Sequence, residues 1–69
     1  MVEVFKTNVE CDAEAEEVVL MLKGRLPGCR INIDMHDCDR VLRVEGHPIC
    51  PDEIIQWVGA KGFNCIPLD

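Results

Sequence analysis

Cys11 and Glu14 stand three residues apart in the run Asn8-Val9-Glu10-Cys11-Asp12-Ala13-Glu14, where strand-like alternation gives way to a helical period. A thiol at a helix start faces unpaired N–H groups and the positive end of the helix dipole. Both favour a thiolate, and with it soft-metal ligation. A two-thiol metal loop would carry its second cysteine at position 14, and here that position is a carboxylate. A Cys/Glu pair, joined by an imidazole, suits Zn²⁺ better than Cu(I), because zinc accepts sulfur, nitrogen and oxygen together.

The other thiols offer partial replacements. There are five cysteines, at positions 11, 29, 38, 50 and 65, and no CxxC pair. An odd count with no secretory leader predicts reduced thiols, several of them small buried hydrophobes, rather than a disulfide framework. Cys38 lies in Asp37-Cys38-Asp39 beside His36, a ligand-rich turn, although a solvent-facing turn residue reads the same way. His47-Pro48-Ile49-Cys50 is a weak ligand pair, and Cys50 reads as a structural residue ahead of a helix. A thiol-redox role for Cys11 or Cys50 ranks below metal binding, because no resolving cysteine lies nearby in sequence. No Gly-rich phosphate loop, acid/base carboxylate pair or Cys–His–orienter arrangement is evident, so an enzyme is not expected.

The elements that must position these groups follow from periodicity. Residues 2–9 alternate with Phe5, Thr7 and Val9 on one face. From 12 to 26 the period is helical, with Ala15, Val18, Val19, Leu22 and Leu26 in one stripe and Asp12 as the expected N-cap. Pro27-Gly28 ends that helix. A hairpin is expected from 29–36 (Ile31, Ile33 and Met35 on one side) and the strand through Val41, Leu42 and Val44. Pro51 should open a second helix, with Ile54, Ile55, Trp57 and Val58 on its apolar side and Gly62 at its close. Phe63 to Leu68 form a last strand, limited by Pro67. The order strand, helix, strand, strand, helix, strand predicts an α+β, ferredoxin-like βαββαβ fold: a four-stranded antiparallel sheet with two helices on one face.

Composition bounds the function. Sixty-nine residues, read as a single domain over 1–69, give a small aliphatic core with one Trp, two Phe and no Tyr. The net charge of −6 argues against nucleic acid as a partner. Glu10, Asp12, Glu14, Glu16 and Glu17 concentrate acid at the first helix start, where they complement its dipole and would attract a cation or a protein partner with a basic surface. No apolar run approaches the ~20 residues that span a bilayer, and no leader is evident, so no membrane partner and a cytoplasmic setting are expected.

With these elements in place, the chain resembles the heavy-metal-associated (HMA) domain family of copper chaperones and of the N-terminal modules of metal-pumping ATPases. Phe5-Lys6-Thr7-Asn8-Val9-Glu10-Cys11-Asp12 looks like that family's first strand and the front of its metal loop. Val18 and Leu22 fit its helix, Leu26-Pro27-Gly28 its helix exit, and Ala60-Lys61-Gly62-Phe63 its approach to the last strand. Cys11 matches the first metal cysteine; Glu14 replaces the second, giving a degenerate CxxE loop. The resemblance implies a small non-enzymatic, metallochaperone-like domain, binding Cu(I) or Zn(II) weakly or not at all. Cys11 and Glu14 would be ligands, with Cys65 or Cys38 supplying a missing donor from the same end of the sheet. Lys61 would offset the charge of a thiolate–metal centre. A homodimer could share one ion between two Cys11 thiols. The alternative is an HMA-fold protein-interaction module that has lost the metal.

Overall fold

Phe5, Thr7 and Val9 alternate inward from the first strand and are all buried, so the opening segment works as the sheet's spine. In the computed structural model, which describes residues 1–68, β1 (Val2–Thr7) is followed by α1 (Asp12–Arg25), β2 (Arg30–Asp34), β3 (Val41–Glu45), α2 (Pro51–Ala60) and β4 (Cys65–Pro67). The sheet order is β2-β3-β1-β4 and every pairing is antiparallel. This is the expected ferredoxin-like arrangement. β1 pairs with β3 through Phe5↔Leu42 and with β4 through Thr7↔Cys65, so both inner-face residues meet inner-face partners.

One core joins the helices to that face. Ala15, Val18 and Leu22 of α1 and Ile54 and Val58 of α2 are buried against Phe5, Ile31, Leu42 and Val44. Val19, Leu26, Ile55 and Trp57 are half-buried around it, as members of the stripes their spacing defines. At about 1.5–3 kcal/mol per buried aliphatic or aromatic side chain, these few residues hold most of the fold's driving force.

The element ends differ from the periodicity where side chains capture backbone groups. Asp12 is not the N-cap of α1. Cys11 holds that place with extended backbone (φ −145°, ψ 166°), and its carbonyl accepts the Ala15 N–H at 3.1 Å. Asp12 instead opens the helix, where its charge still complements the dipole. β1 stops at Thr7 rather than Val9, because Asn8 turns its side chain to accept the Asn64 N–H at 2.8 Å. β2 stops at Asp34, whose Oδ1 accepts the His36 N–H at 2.9 Å and starts the hairpin turn. β4 begins only at Cys65, since the Phe63 N–H points back to the Val58 carbonyl and the Asn64 N–H is held by Asn8. Gly62, with φ +93°, makes that reversal at the end of α2.

Candidate metal-binding loop

Val9, Ala15 and Thr7 are all buried, and together they peg the two ends of the segment that carries Cys11. Between these pegs the chain crosses from sheet to helix over the protein's rim, which leaves Glu10, Cys11 and Asp12 exposed. The Cys11 thiol makes no capping hydrogen bond, so its sulfur is free at the N-terminus of α1.

Glu14 is occupied differently. Its Oε1 accepts the Glu10 N–H at 2.8 Å, closing the loop from the inside of the first turn. A capping box would send this glutamate to the N-cap N–H; here it reaches one residue further back. The carboxylate at position 14 therefore has a local structural use. A cysteine N-cap that forms no side-chain bond leaves the loop open, and the glutamate three residues on closes it. The pattern Cys-x-x-Glu ahead of an apolar helical stripe carried that signal, and the sequence reading missed it.

Cys65 lies in β4 opposite Thr7 and is buried. Burial pushes its thiol up from 9.0 to about 11, because the thiolate would lose its solvation there. Cys38 is exposed in the hairpin turn. Its Sγ and one carboxylate oxygen each of Asp37 and Asp39 lie within 4.8 Å of one another. Both acids have other duties: Asp37 Oδ1 accepts the Asp39 N–H at 2.8 Å, and Asp39 Oδ1 lies 3.5 Å from Lys6 Nζ.

The turn is tied to the end of β1. Thr7 donates its N–H to the Asp39 carbonyl (3.1 Å) and its hydroxyl to the Arg40 carbonyl (2.7 Å), while the Arg40 guanidinium clasps the Met35 and Asp37 carbonyls. Cys65, the Cys38 turn and the strand leading to Cys11 thus share one end of the sheet, as the topology implied. Among the described residues, however, Asp37, Cys38 and Asp39 are the one set of three His, Cys, Asp or Glu donors gathered this closely, and Cys11 belongs to no such set. Cys11, Glu14, Cys65 and Cys38 do not form a single cluster.

Lys61 follows α2 and directs its ammonium to Glu17 of α1 at 3.3 Å. It ties the two helices together across the acidic half of α1 and in this state answers a carboxylate. At the opposite end, Arg25 to Cys29, His47 and Pro48 line a shallow, mostly apolar groove of about 240 Å³. Cys29 lies so close to Gly46 that a Cβ there would stand 2.8 Å from its sulfur.

No protein-family model matches the chain, and no curated protein matches it. A solved structure does. The yeast copper transporter domain Ccc2A, determined in solution in apo and Cu(I)-loaded states, aligns with a TM-score of 0.81. The alignment covers 99% of this chain and 94% of that one, at 18% sequence identity. At that identity the likeness is one of fold. It extends over nearly the whole of the βαββαβ unit.

The donor set limits what ion the loop could take. One accessible thiol and one carboxylate with a committed oxygen do not make the two-thiolate clasp that favours Cu(I). They leave a borderline ion such as Zn²⁺ short of its usual four ligands. Either ion needs donors from a partner, from water, or from a rearranged Glu14.

Proposed function

We propose that this chain is a small non-enzymatic metal-binding domain of the metallochaperone type, with a degenerate site centred on Cys11 that binds soft or borderline ions weakly. The observation that carries this reading is the Cys11 thiol, exposed and without a capping bond at the start of α1. It sits in a backbone that matches a copper transporter domain over nearly its full length. A single thiolate on a surface loop suits transient handling: an ion of low coordination number is open to attack by a partner's thiols and leaves by ligand exchange. Glu14 keeps Oε1 on the Glu10 N–H, so the second oxygen of its carboxylate is the donor it would offer beside Cys11. Cys65 would join only by losing its proton and its burial, so Cys38, exposed and flanked by acids, is the better auxiliary. The acidic start of α1 would meet a basic surface on the partner, and association would slow as salt rises.

A second reading is favoured by the Glu14–Glu10 bond: an HMA-fold interaction module in which the loop is closed for stability and the acidic rim alone meets a protein. Native mass spectrometry with Cu(I) and with Zn²⁺ under reducing conditions separates the two. The first reading expects sub-stoichiometric or weak uptake that disappears in Cys11→Ser, together with any ion-bridged dimer. Uptake unchanged by Cys11→Ser removes Cys11 from the site, and no uptake by an ordered wild type leaves the interaction module.

A further inference from the structure

The outer edge of β2 has a composition that complements itself. β2 is the first strand of the sheet, hydrogen-bonded on one side to β3, and it contains no proline. The opposite edge is different: β4 is three residues long and ends in Pro67, whose missing N–H blunts it. β2 reads Arg30-Ile31-Asn32-Ile33-Asp34. Arg30, Asn32 and Asp34 are exposed on the open face of the sheet, whereas Ile31 is buried and Ile33 half-buried beneath α1.

Antiparallel pairing of this strand with itself, centred on Asn32, sets Arg30 of each copy against Asp34 of the other. It also sets Ile31 against Ile33 on the helix face and the two Asn32 side chains against each other. Both charge pairs are opposite in sign and both apolar pairs are matched, which are the cross-strand combinations that stabilise a ladder. A two-fold axis can pass through either kind of residue pair in an antiparallel ladder.

The charges are available for this use. Among the described residues, no carboxylate lies within 4.0 Å of the Arg30 guanidinium; its cross-strand neighbour Glu45 places Oε2 3.9 Å from Arg43 instead. Asp34 spends Oδ1 on the His36 N–H, which leaves its second oxygen for a partner.

We propose that β2 is a homotypic docking edge at which two copies of this chain pair antiparallel about Asn32, joining their sheets into one of eight strands. The inference is independent of metal binding, since Cys11 takes no part in it. Five residues per copy make a contact well below the ~1,200 Å² of a stable interface, so the dimer is weak and concentration-dependent. Repulsion between two copies, each of net charge −6, acts against it until salt screens it.

The test is a charge exchange read by sedimentation equilibrium at about 0.15 M salt, where the Debye length is ~8 Å, with reductant and a metal chelator present. Arg30→Asp alone places acid against acid at both ends of the pairing, and Asp34→Arg alone places base against base. Each should weaken self-association about tenfold or more. The double variant Arg30→Asp/Asp34→Arg should recover it. An equimolar mixture of the two single variants should form a heterodimer tighter than either homodimer. Circular dichroism confirms that Asp34→Arg, which loses the His36 bond, still folds, and Arg30→Asp carries the test if it does not. A wild type that stays monomeric into the millimolar range overturns the proposal, as do single variants that associate like wild type. A dimer that needs added metal and Cys11 is the ion-bridged species and also overturns it.

Discussion

Replacing Glu14 with cysteine sets the stability of the loop against its capacity for metal. Glu14→Cys removes the 2.8 Å bond to the Glu10 N–H, together with a carboxylate near the positive end of α1. Loss of a capping interaction at a helix start costs about 1 kcal/mol, and loss of the dipole term ~0.3–1 kcal/mol. Relief of the like-charge contact with Glu17, one turn on, returns a few tenths of a kcal/mol. The net expectation for the metal-free protein is a loss of about 1 kcal/mol. In a domain of this size that lowers the melting temperature by ~4–8 °C. With two thiols at the loop, Cu(I) affinity should rise by at least about tenfold, or 1.4 kcal/mol.

Melting of the metal-free protein, followed by Cu(I) competition against a chromophoric chelator under reductant, reads both quantities on one sample. Glu14→Gln is the matched control, because it keeps an acceptor oxygen at the same reach. It should melt within a few degrees of wild type and gain no copper. Unchanged melting of Glu14→Cys would sink the loop-closing role of Glu14. Unchanged copper affinity would remove the loop around Cys11 as the place where an ion could sit.

Three other perturbations have outcomes fixed by the structure. The Cys65 thiol is raised by burial from 9.0 to about 11, so the folded state keeps its proton while the unfolded chain loses it. The stabilisation is therefore complete below pH 9 and is lost as pH climbs toward 11. Urea titrations should show roughly 1 kcal/mol lost between pH 8 and pH 10 beyond the loss seen in Cys65→Ala, and equal slopes in the two proteins would contradict the burial. Gly46→Ala would bring a Cβ to 3.0 Å from the Cys29 Cα at a backbone φ of +148°, and should cost about 1–3 kcal/mol in denaturant unfolding. Arg25→Gln removes a guanidinium 5.0 Å from the centroid of Trp57, the only tryptophan; it should shift that residue's emission and cost ~0.5–1 kcal/mol.

The fold was legible because its signals repeat. Ala15, Val18 and Leu22 recur at helical spacing, and Ile31 and Ile33 at strand spacing. Pro27-Gly28 and Pro51 mark boundaries that no neighbouring residue disputes. The errors at the strand ends fall where a single side chain takes a backbone group. Asn8 holding the Asn64 N–H shortened two strands at once, and Asp34 holding the His36 N–H shortened a third. Such bonds link residues far apart in sequence, or depend on one rotamer, and leave no periodic trace. The misplaced N-cap has a different origin. Asp12 is the better capping residue by type, yet the buried peg at Val9 sets the phase of the chain, and the cap falls on Cys11.

The candidate loop was legible in position and not in state, and the reason is energetic. The buried core runs from Phe5 to Cys65 without using the Cys11 or Glu14 side chain, so the fold does not depend on a metal ligand at either place. A residue at position 14 then acts on stability through the loop alone, and a glutamate that captures the Glu10 N–H supplies a bond that a thiol would not. A scaffold of this kind can keep its shape through the loss or return of a ligand, and likeness of fold carries little information about ion binding. Ion binding at this loop would depend on how Glu14 divides its two oxygens between the Glu10 N–H and an ion beside Cys11. An ion satisfied by the second oxygen would leave the loop closed; one that demanded both oxygens would have to break the bond to Glu10 and open it.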